Sequence, residues 1–246
     1  MMNDVIKRGI VPEERVMRVL LFDLDGTLML SGGAARRAMD RAFAEQYGIT
    51  DAFGTIVPDG KTDPLIFREI CVNHGVVVAD EAAAFAVLAA RYAEHLVDEM
   101  PRADRARLMP GVVPLLNRLV IDPALTLGLL TGNFEATARI KLGRFDLNGF
   151  FPFGAFASDH PEREHLLPVA VARAEAHLGR NIGIGRHVIV IGDTPRDVEC
   201  ALTHGARAVG VAASRYSAAE LGAAGAHHVL PSLEDIDAFM TAITSE

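Results

Sequence analysis

The chain of 246 residues lacks the features that mark secreted, membrane-spanning or nucleic-acid-binding proteins. Its two cysteines, Cys71 and Cys200, give neither a disulfide framework nor metal-ligand spacing, as expected in a reducing compartment. The longest apolar run, residues 82–90, is less than half of the roughly 20 residues that a membrane span requires. With 24 basic and 32 acidic residues, the formal net charge of −8 argues against non-specific nucleic-acid binding. These absences favour a cytoplasmic protein that binds neither membranes nor nucleic acids.

Short apolar segments recur along the chain and have the length and surroundings of buried β-strands. The first fifteen residues alternate charged and apolar side chains without the core of a signal peptide, and we expect a short extension there. Segments with helical spacing separate most of the later strand candidates, and two of them stop at Gly179 and Gly205. This alternation predicts an α/β fold, a Rossmann-like parallel sheet with helices on both faces. The predicted strands are residues 19–22, 125–130, 153–156, 187–191, 206–211 and 228–230.

Residues 34–108 interrupt this alternation. Ala38, Met39, Ala42, Phe43 and Tyr47 have the spacing of one amphipathic helix, and residues 65–71 and 82–97 predict two more. No segment in this stretch has the pattern of a buried strand. We therefore predict an all-helical insertion, or cap, at residues 34–108. A core domain formed by residues 1–33 and 109–246 would surround it in sequence.

Two aspartates follow the first predicted strand directly. Asp23 and Asp25 stand two positions apart, so their side chains point to the same side of the chain. Ligands of open α/β sheets bind at the carboxyl ends of the strands, which is where this pair lies. Two adjacent carboxylates repel each other unless a cation neutralises them, and oxygen ligands suit Mg²⁺. The pair therefore predicts a nucleophile, an acid–base group and a metal in one place.

Two further predicted strands end in small polar or acidic residues. Thr131, Gly132 and Asn133 follow residues 125–130, and a hydroxyl with backbone amides at a helix start suits a phosphate group. Asp193 and Asp197 follow residues 187–191 and would add oxygen ligands for the same cation. Because the carboxyl ends of parallel strands meet at one edge of a sheet, we expect all three segments to contribute to one site.

The three segments resemble the motifs of the haloacid dehalogenase superfamily, in particular its phosphatase branch with a small helical cap, such as the phosphoglycolate phosphatases. The matching residues are 23–27, 131–133 and 192–197, in the order that the family has. The resemblance spans residues 19–230. It implies that the helical insertion is the family's cap, and it implies hydrolysis of a small phosphorylated metabolite, of the phosphoglycolate or sugar-phosphate type.

The resemblance also implies a role for each matching residue. Asp23 is the nucleophile that forms an aspartyl-phosphate, and Asp25 protonates the leaving oxygen and then activates water. Mg²⁺ is held by the Asp23 carboxylate, the Asp25 backbone carbonyl and Asp193, with Asp197 nearby. The phosphate-binding residues are Thr131, Gly132 and Asn133.

The family's basic residue before the last motif has no obvious match, because its usual Lys-Pro pair is absent. We favour Arg163, since an arginine can bind phosphate through two parallel hydrogen bonds. His165 and Lys141 are the alternatives; Lys141 is expected to lie one turn too far along its helix. All three remain open on the sequence.

The segment 60–63 is the candidate for cap residues that meet the substrate. Thr62 or Asp63 is suited to cap the helix that follows, and Lys61 and Thr62 are candidates for substrate contact. Glycines at 32, 33 and 111 predict joints through which the cap closes over the site. Oligomeric state stays open between monomer and homodimer.

Four other functions are compatible with parts of this pattern. A phosphomutase would share every motif and differ by excluding water. A 2-haloacid dehalogenase is disfavoured by Asp25, because displacing a halide needs no proton donor. Phosphonate hydrolysis would need a lysine of the cap, and Lys61 is the only one there. A binding protein without catalysis is disfavoured because all the acidic motif residues are present.

Overall fold

A computed structural model of the protein describes residues 17–245. The N-terminal extension predicted for residues 1–15 lies outside the described residues. Among the described helices, none combines the length and the apolar character needed to cross a membrane.

The fold is built on a parallel sheet of six strands, as predicted. These strands are β1 (Arg18–Phe22), β4 (Leu125–Leu130), β5 (Phe153–Ala155), β6 (Val188–Gly192), β7 (Arg207–Val211) and β8 (His228–Leu230). Their order across the sheet is β5-β4-β1-β6-β7-β8, and every pairing is parallel. The first strand lies inside the sheet, between β4 and β6, and its run of apolar side chains is buried on both faces there.

Helices cover both faces of this sheet. They are α4 (Val112–Val120), α5 (Glu135–Gly143), α6 (Leu166–Leu178), α7 (Pro195–Thr203), α8 (Ala218–Ala223) and α9 (Ile236–Thr244). Alternate residues of β1 enter two separate apolar clusters: Leu20 and Phe22 face one, and Val19 and Leu21 face the other. The two clusters show that the sheet is buried on both sides, which the α/β pattern predicts.

The insertion consists of three helices, as predicted. They are α1 (Ala34–Tyr47), α2 (Asp63–Asn73) and α3 (Glu81–Glu99). One feature differs from the prediction, because the segment is not entirely helical. Strand β3 (Arg107–Leu108) pairs antiparallel with β2 (Met29–Leu30), so that a two-stranded ribbon joins the insertion to the sheet. Two-residue strands are too short to produce a periodic pattern, so they could not be predicted from the sequence.

The insertion packs directly on the sheet domain. Phe67 of α2 contacts Phe134, just before α5, with ring centroids 5.6 Å apart, and also contacts Phe43 and Tyr92 within the insertion. These side chains belong to the same apolar cluster as Leu20 and Phe22 of β1. The insertion therefore lies over the carboxyl edge of the sheet. The division into a core and a cap domain, with boundaries at 33/34 and 108/109, remains a prediction.

Candidate active site

Three neighbouring strands bring the predicted motifs together. Strands β4, β1 and β6 are adjacent in the sheet, so the residues that follow them meet at one edge. A cavity of about 560 Å³ lies there, between this edge and the insertion. Its walls include Asp23, Asp25, Gly132, Asn133 and Asp193. Thr131, Lys61, Lys141 and Arg163 also line it, so most of the predicted site residues share one cavity.

Arg163 links two of the acidic residues below this cavity. Its Nη2 donates to Asp23 Oδ1 at 2.6 Å, to the Leu130 carbonyl at 3.2 Å, and to Asp197 Oδ1. The other oxygen of Asp197 accepts from the Thr194 amide at 3.0 Å and hydroxyl at 2.8 Å, within the capping box that starts α7. Both oxygens of Asp197 are therefore engaged, and this carboxylate holds Arg163 against Asp23.

Asp193 is held by two hydroxyl groups. The Thr27 hydroxyl donates to Asp193 Oδ1 at 3.0 Å, and Ser214, which follows β7, donates to Oδ2. Gly26 makes this arrangement possible: its φ is +89°, and a Cβ there would lie 2.2 Å from the Asp193 carboxylate. The turn after β1 therefore fits closely against the end of β6.

The acidic residues form a group that suits a divalent cation. Oxygen atoms of Asp23, Asp193 and Asp197 lie within 4.8 Å of one another, and all three residues are buried. Burial and the carboxylates of Asp23 and Asp197 raise the pKa of Asp193 to about 8. Burial also raises the pKa of Asp23 to about 7, although the Arg163 guanidinium acts in the opposite direction. Carboxylates crowded in this way are stabilised by a bound cation, and all-oxygen ligands suit Mg²⁺.

Asp25 points into a separate group of polar side chains. Lys141 Nζ donates to Asp25 Oδ2 at 2.6 Å and to Asn133 Oδ1 at 2.5 Å. The Asn133 amide nitrogen donates to the same Asp25 oxygen at 2.8 Å and to the Thr131 hydroxyl at 2.9 Å. Lys141 is only 2% exposed, whereas 39% of the Asp25 side chain is exposed. The buried lysine therefore holds one oxygen of Asp25, while the carboxylate stays accessible from the cavity.

The expectation that Lys141 lies too far along its helix is wrong. Lys141 is the seventh residue of α5, about 10 Å from the start of the helix by the usual rise per residue. Side chains on a helix tilt towards its N-terminus, and the long lysine side chain covers the remaining distance. His165 lies elsewhere: more than half of its side chain is exposed, and its ring packs against His160 at a centroid distance of 4.2 Å. The structure thus brings Arg163 and Lys141 into the site and leaves His165 outside it.

The loop at 131–133 receives backbone contacts from the insertion. The Asp63 amide donates to the Gly132 carbonyl at 2.7 Å, and a Cβ on Gly132 would lie 2.4 Å from the Lys61 carbonyl oxygen. The Asp63 carboxylate accepts from the Phe134 amide at 2.9 Å, at the start of α5. Burial raises the pKa of Asp63 to about 6. A residue of the insertion therefore satisfies a free amide of a helix in the sheet domain.

The segment 60–63 differs in detail from the capping prediction. Thr62 does precede α2, but its hydroxyl donates to the Pro161 carbonyl instead of capping the helix. Thr62 is fully buried, whereas Lys61 lines the cavity and pairs with Glu69. The Asp63 carboxylate caps α5 and not its own helix. Geometry thus gives Lys61 access to a substrate and gives Thr62 a position behind the cavity wall.

Two residues of the site were not predicted from the sequence. Ser214 follows β7 at the same edge, so the strand-end rule that found Asp193 could also have found it. Tyr92 lines the cavity from α3, and burial raises the pKa of its hydroxyl well above the usual range. Its position within an apolar helical stripe gave no sign of this, because such a pattern is typical of core residues.

Comparison with known proteins gives a family match over most of the chain. A family model described as haloacid dehalogenase-like hydrolase matches residues 17–205 of the chain. No curated protein matches it in sequence. The family match includes all three strand-end motifs and the whole insertion.

Solved structures share the fold. A hydrolase from Pseudomonas syringae is 23% identical, covering 93% of this chain and 100% of its own, with a TM-score of 0.65. A predicted phosphatase from Clostridium acetobutylicum is 21% identical, covering 92% and 98%, with a TM-score of 0.65. A predicted phosphoglycolate phosphatase from Haemophilus somnus is 16% identical, covering 91% and 98%, with a TM-score of 0.65. At these identities the similarity establishes the fold.

Proposed function

The chain belongs to the haloacid dehalogenase-like hydrolases, and on that premise we propose that it is a Mg²⁺-dependent phosphatase of small phosphorylated metabolites. The observation that supports this most directly is the pair Asp23 and Asp25, which face one cavity but have different partners. Asp23 lies against Arg163, and Asp25 lies against Lys141 and Asn133. The two carboxylates can therefore take different roles.

In the proposed reaction, an Asp23 oxygen attacks the phosphorus atom and the bond to the alcohol oxygen breaks. Asp25, initially protonated, gives its proton to that leaving oxygen. A water molecule then attacks the phosphorus of the aspartyl-phosphate, Asp25 takes up its proton, and phosphate leaves while the Asp23 carboxylate is restored. This proton donor is unnecessary for displacing a halide, so the placement of Asp25 favours phosphate esters.

Residues at the edge of the sheet would balance the negative charge of the transferring phosphoryl group. Thr131, the Gly132 amide and Asn133 would hold its oxygens, as would Arg163, which lies beside the nucleophile. Asp23, Asp193 and the Asp25 backbone carbonyl would hold the metal, with Asp197 acting through Arg163. A bound Mg²⁺ supplies positive charge to the phosphoryl oxygens. The insertion would exclude bulk water from the cavity.

The proposal predicts that phosphate release depends on a divalent cation. Purified protein should release phosphate from small phosphate esters with Mg²⁺, and release should fall to background with excess EDTA. Restoring Mg²⁺ should restore the rate. Measuring inorganic phosphate over a panel of phosphorylated metabolites, ranked by kcat/KM, tests this directly. A folded protein that releases no phosphate from any ester in either condition would exclude the proposed function.

A further inference from the structure

We propose that the alcohol part of the substrate is largely apolar and carries neither a carboxylate nor a second phosphate. The inference rests on the proposed phosphatase function and narrows its substrate class. It comes from the side chains that line the cavity, which are mostly polar at the sheet edge and mostly apolar on the insertion.

The insertion lines its part of the cavity mainly with apolar side chains. Met39, Phe53, Ile56, Ile66 and Tyr92 all line the cavity, and each is less than 10% exposed. With the phosphoryl group at Asp23, the alcohol part of a substrate would extend towards these side chains. Burying apolar surface of the substrate against these side chains is favourable, by roughly 0.8 kcal/mol for each methylene.

The positively charged groups that line the cavity are already engaged, with one exception. Arg36 bonds Asp51 and the Gly54 carbonyl, Lys61 pairs with Glu69, and Arg215 pairs with Asp59. Lys141 and Arg163 hold the two catalytic carboxylates. Within residues 17–245, only Arg107 lines the cavity without such a partner, and it is exposed on the ribbon.

A second anionic group on the substrate would therefore find no buried, available cation. It would also lie near the acidic side chains of Asp59 and Asp63, which line the same part of the cavity. An exposed charge such as Arg107 contributes little to binding, because water and salt screen it. The cavity thus disfavours phosphoglycolate and sugar bisphosphates relative to a neutral, apolar monoester.

A series of primary alkyl phosphates tests this inference, because their leaving groups have nearly equal reactivity. We expect kcat/KM to rise about two- to fourfold per methylene from ethyl to hexyl phosphate. Phosphoglycolate and glycerol phosphate should be poorer than butyl phosphate. Ile56→Thr should lower the hexyl-to-ethyl ratio, whereas Val57→Thr, at a neighbouring position that does not line the cavity and is 40% exposed, should not.

A flat or falling series, with phosphoglycolate preferred, would overturn the inference while leaving the phosphatase function in place. Absence of phosphate release from every ester would instead overturn the proposed function, and this inference with it. The two failures are therefore distinguishable in one set of assays.

We also infer that Lys141 is a positioning residue for Asp25, from an independent observation. Lys141 and Asn133 both donate to Asp25 Oδ2, at 2.6 and 2.8 Å. Among the described residues, Asp25 Oδ1 accepts no hydrogen bond. The geometry thus fixes one oxygen and presents the other, Oδ1, to the leaving group as the proton donor.

A leaving-group comparison separates this role from a structural one. For Lys141→Met, kcat/KM should fall about 10- to 100-fold with alkyl phosphates, whose leaving oxygen needs a proton. With 2,4-dinitrophenyl phosphate it should change by less than about threefold, because that leaving group departs without one. Asp25→Asn should show the same dependence. Arg144→Met, at the C-terminal end of the same helix, serves as the matched control.

A loss of equal size with both classes of ester would show that Lys141 acts on the phosphoryl group or on the fold, and would overturn the inference. So would full activity of Lys141→Met with alkyl phosphates. Methionine has a similar length and suits a buried position, so the variant should fold.

Discussion

Asp23→Asn should lower kcat by at least about 10⁴-fold and abolish the phosphorylated form of the chain. The amide keeps the shape of the side chain but is not a nucleophile, and it is a poorer ligand for a cation. Rapid acid quenching of turnover with a phosphate ester, followed by mass spectrometry of the intact protein, should show a phosphorylated wild-type chain only. The fold should stay intact, because Asp23 is surrounded by groups that an amide can also contact.

Asp237→Asn is the matched control, since Asp237 is exposed at the start of α9. It should leave rate and phosphorylation unchanged. A phosphorylated Asp23→Asn chain, or activity near that of the wild type, would contradict the proposed role of Asp23 and would require another nucleophile.

Arg163→Met is expected to have the second largest effect, on both activity and stability. Arg163 bonds Asp23 and Asp197, both buried, and its removal leaves the two carboxylates without this cation. Breaking such a buried pair costs about 3–5 kcal/mol of unfolding free energy. The loss of a cation beside the transferring phosphoryl group should lower kcat/KM by about 10²–10³-fold. Urea unfolding with EDTA present and steady-state kinetics with Mg²⁺ measure the two effects separately.

Two variants control this experiment. Arg163→Lys keeps the charge, but the lysine side chain is one bond shorter than the path to Nη2, which bonds both carboxylates, so an intermediate loss is expected. Arg173→Met removes a partly exposed ion pair with Asp159 and should cost no more than about 1 kcal/mol from that pair. If His165→Ala lowers activity more than Arg163→Met does, the basic residue has been wrongly assigned.

The parts of the fold that were predicted have strong local signals in the sequence. The strand run at 19–22 is fully apolar, and the run at 125–130 contains only one polar residue, Thr126, because both faces of the sheet are covered. Such runs identify buried strands. The polar residues that directly follow these strands, Asp23, Asp25 and Thr131, could therefore be identified as site residues from the sequence alone. Gly179 was placed correctly at the end of α6, where φ is +65°.

The parts that were not predicted depend on tertiary contacts. Asp63 was expected as a possible cap of the helix that follows it, but it is the first residue of α2. Its carboxylate instead accepts from the Phe134 amide at the start of α5, a contact 71 residues away in sequence. The reach of Lys141 to Asp25 spans 116 residues. Arg163 was favoured over His165, and its position in the site agrees with that choice. The two side chains point in different directions because residues Arg163–His165 form a short 3₁₀ turn. Its contact with phosphate remains a prediction.

The ribbon of β2 and β3 has a consequence for how this protein can be altered. Leu30 and Arg107 are paired neighbours, so the chain leaves the sheet domain and returns to it at almost one point. Seventy-six residues between them (31–106) could therefore be exchanged for another segment without changing the path of any sheet strand. The same property gives recombination a natural splice point, provided that the incoming segment replaces the contacts that Asp63 makes with the Gly132 carbonyl and the Phe134 amide.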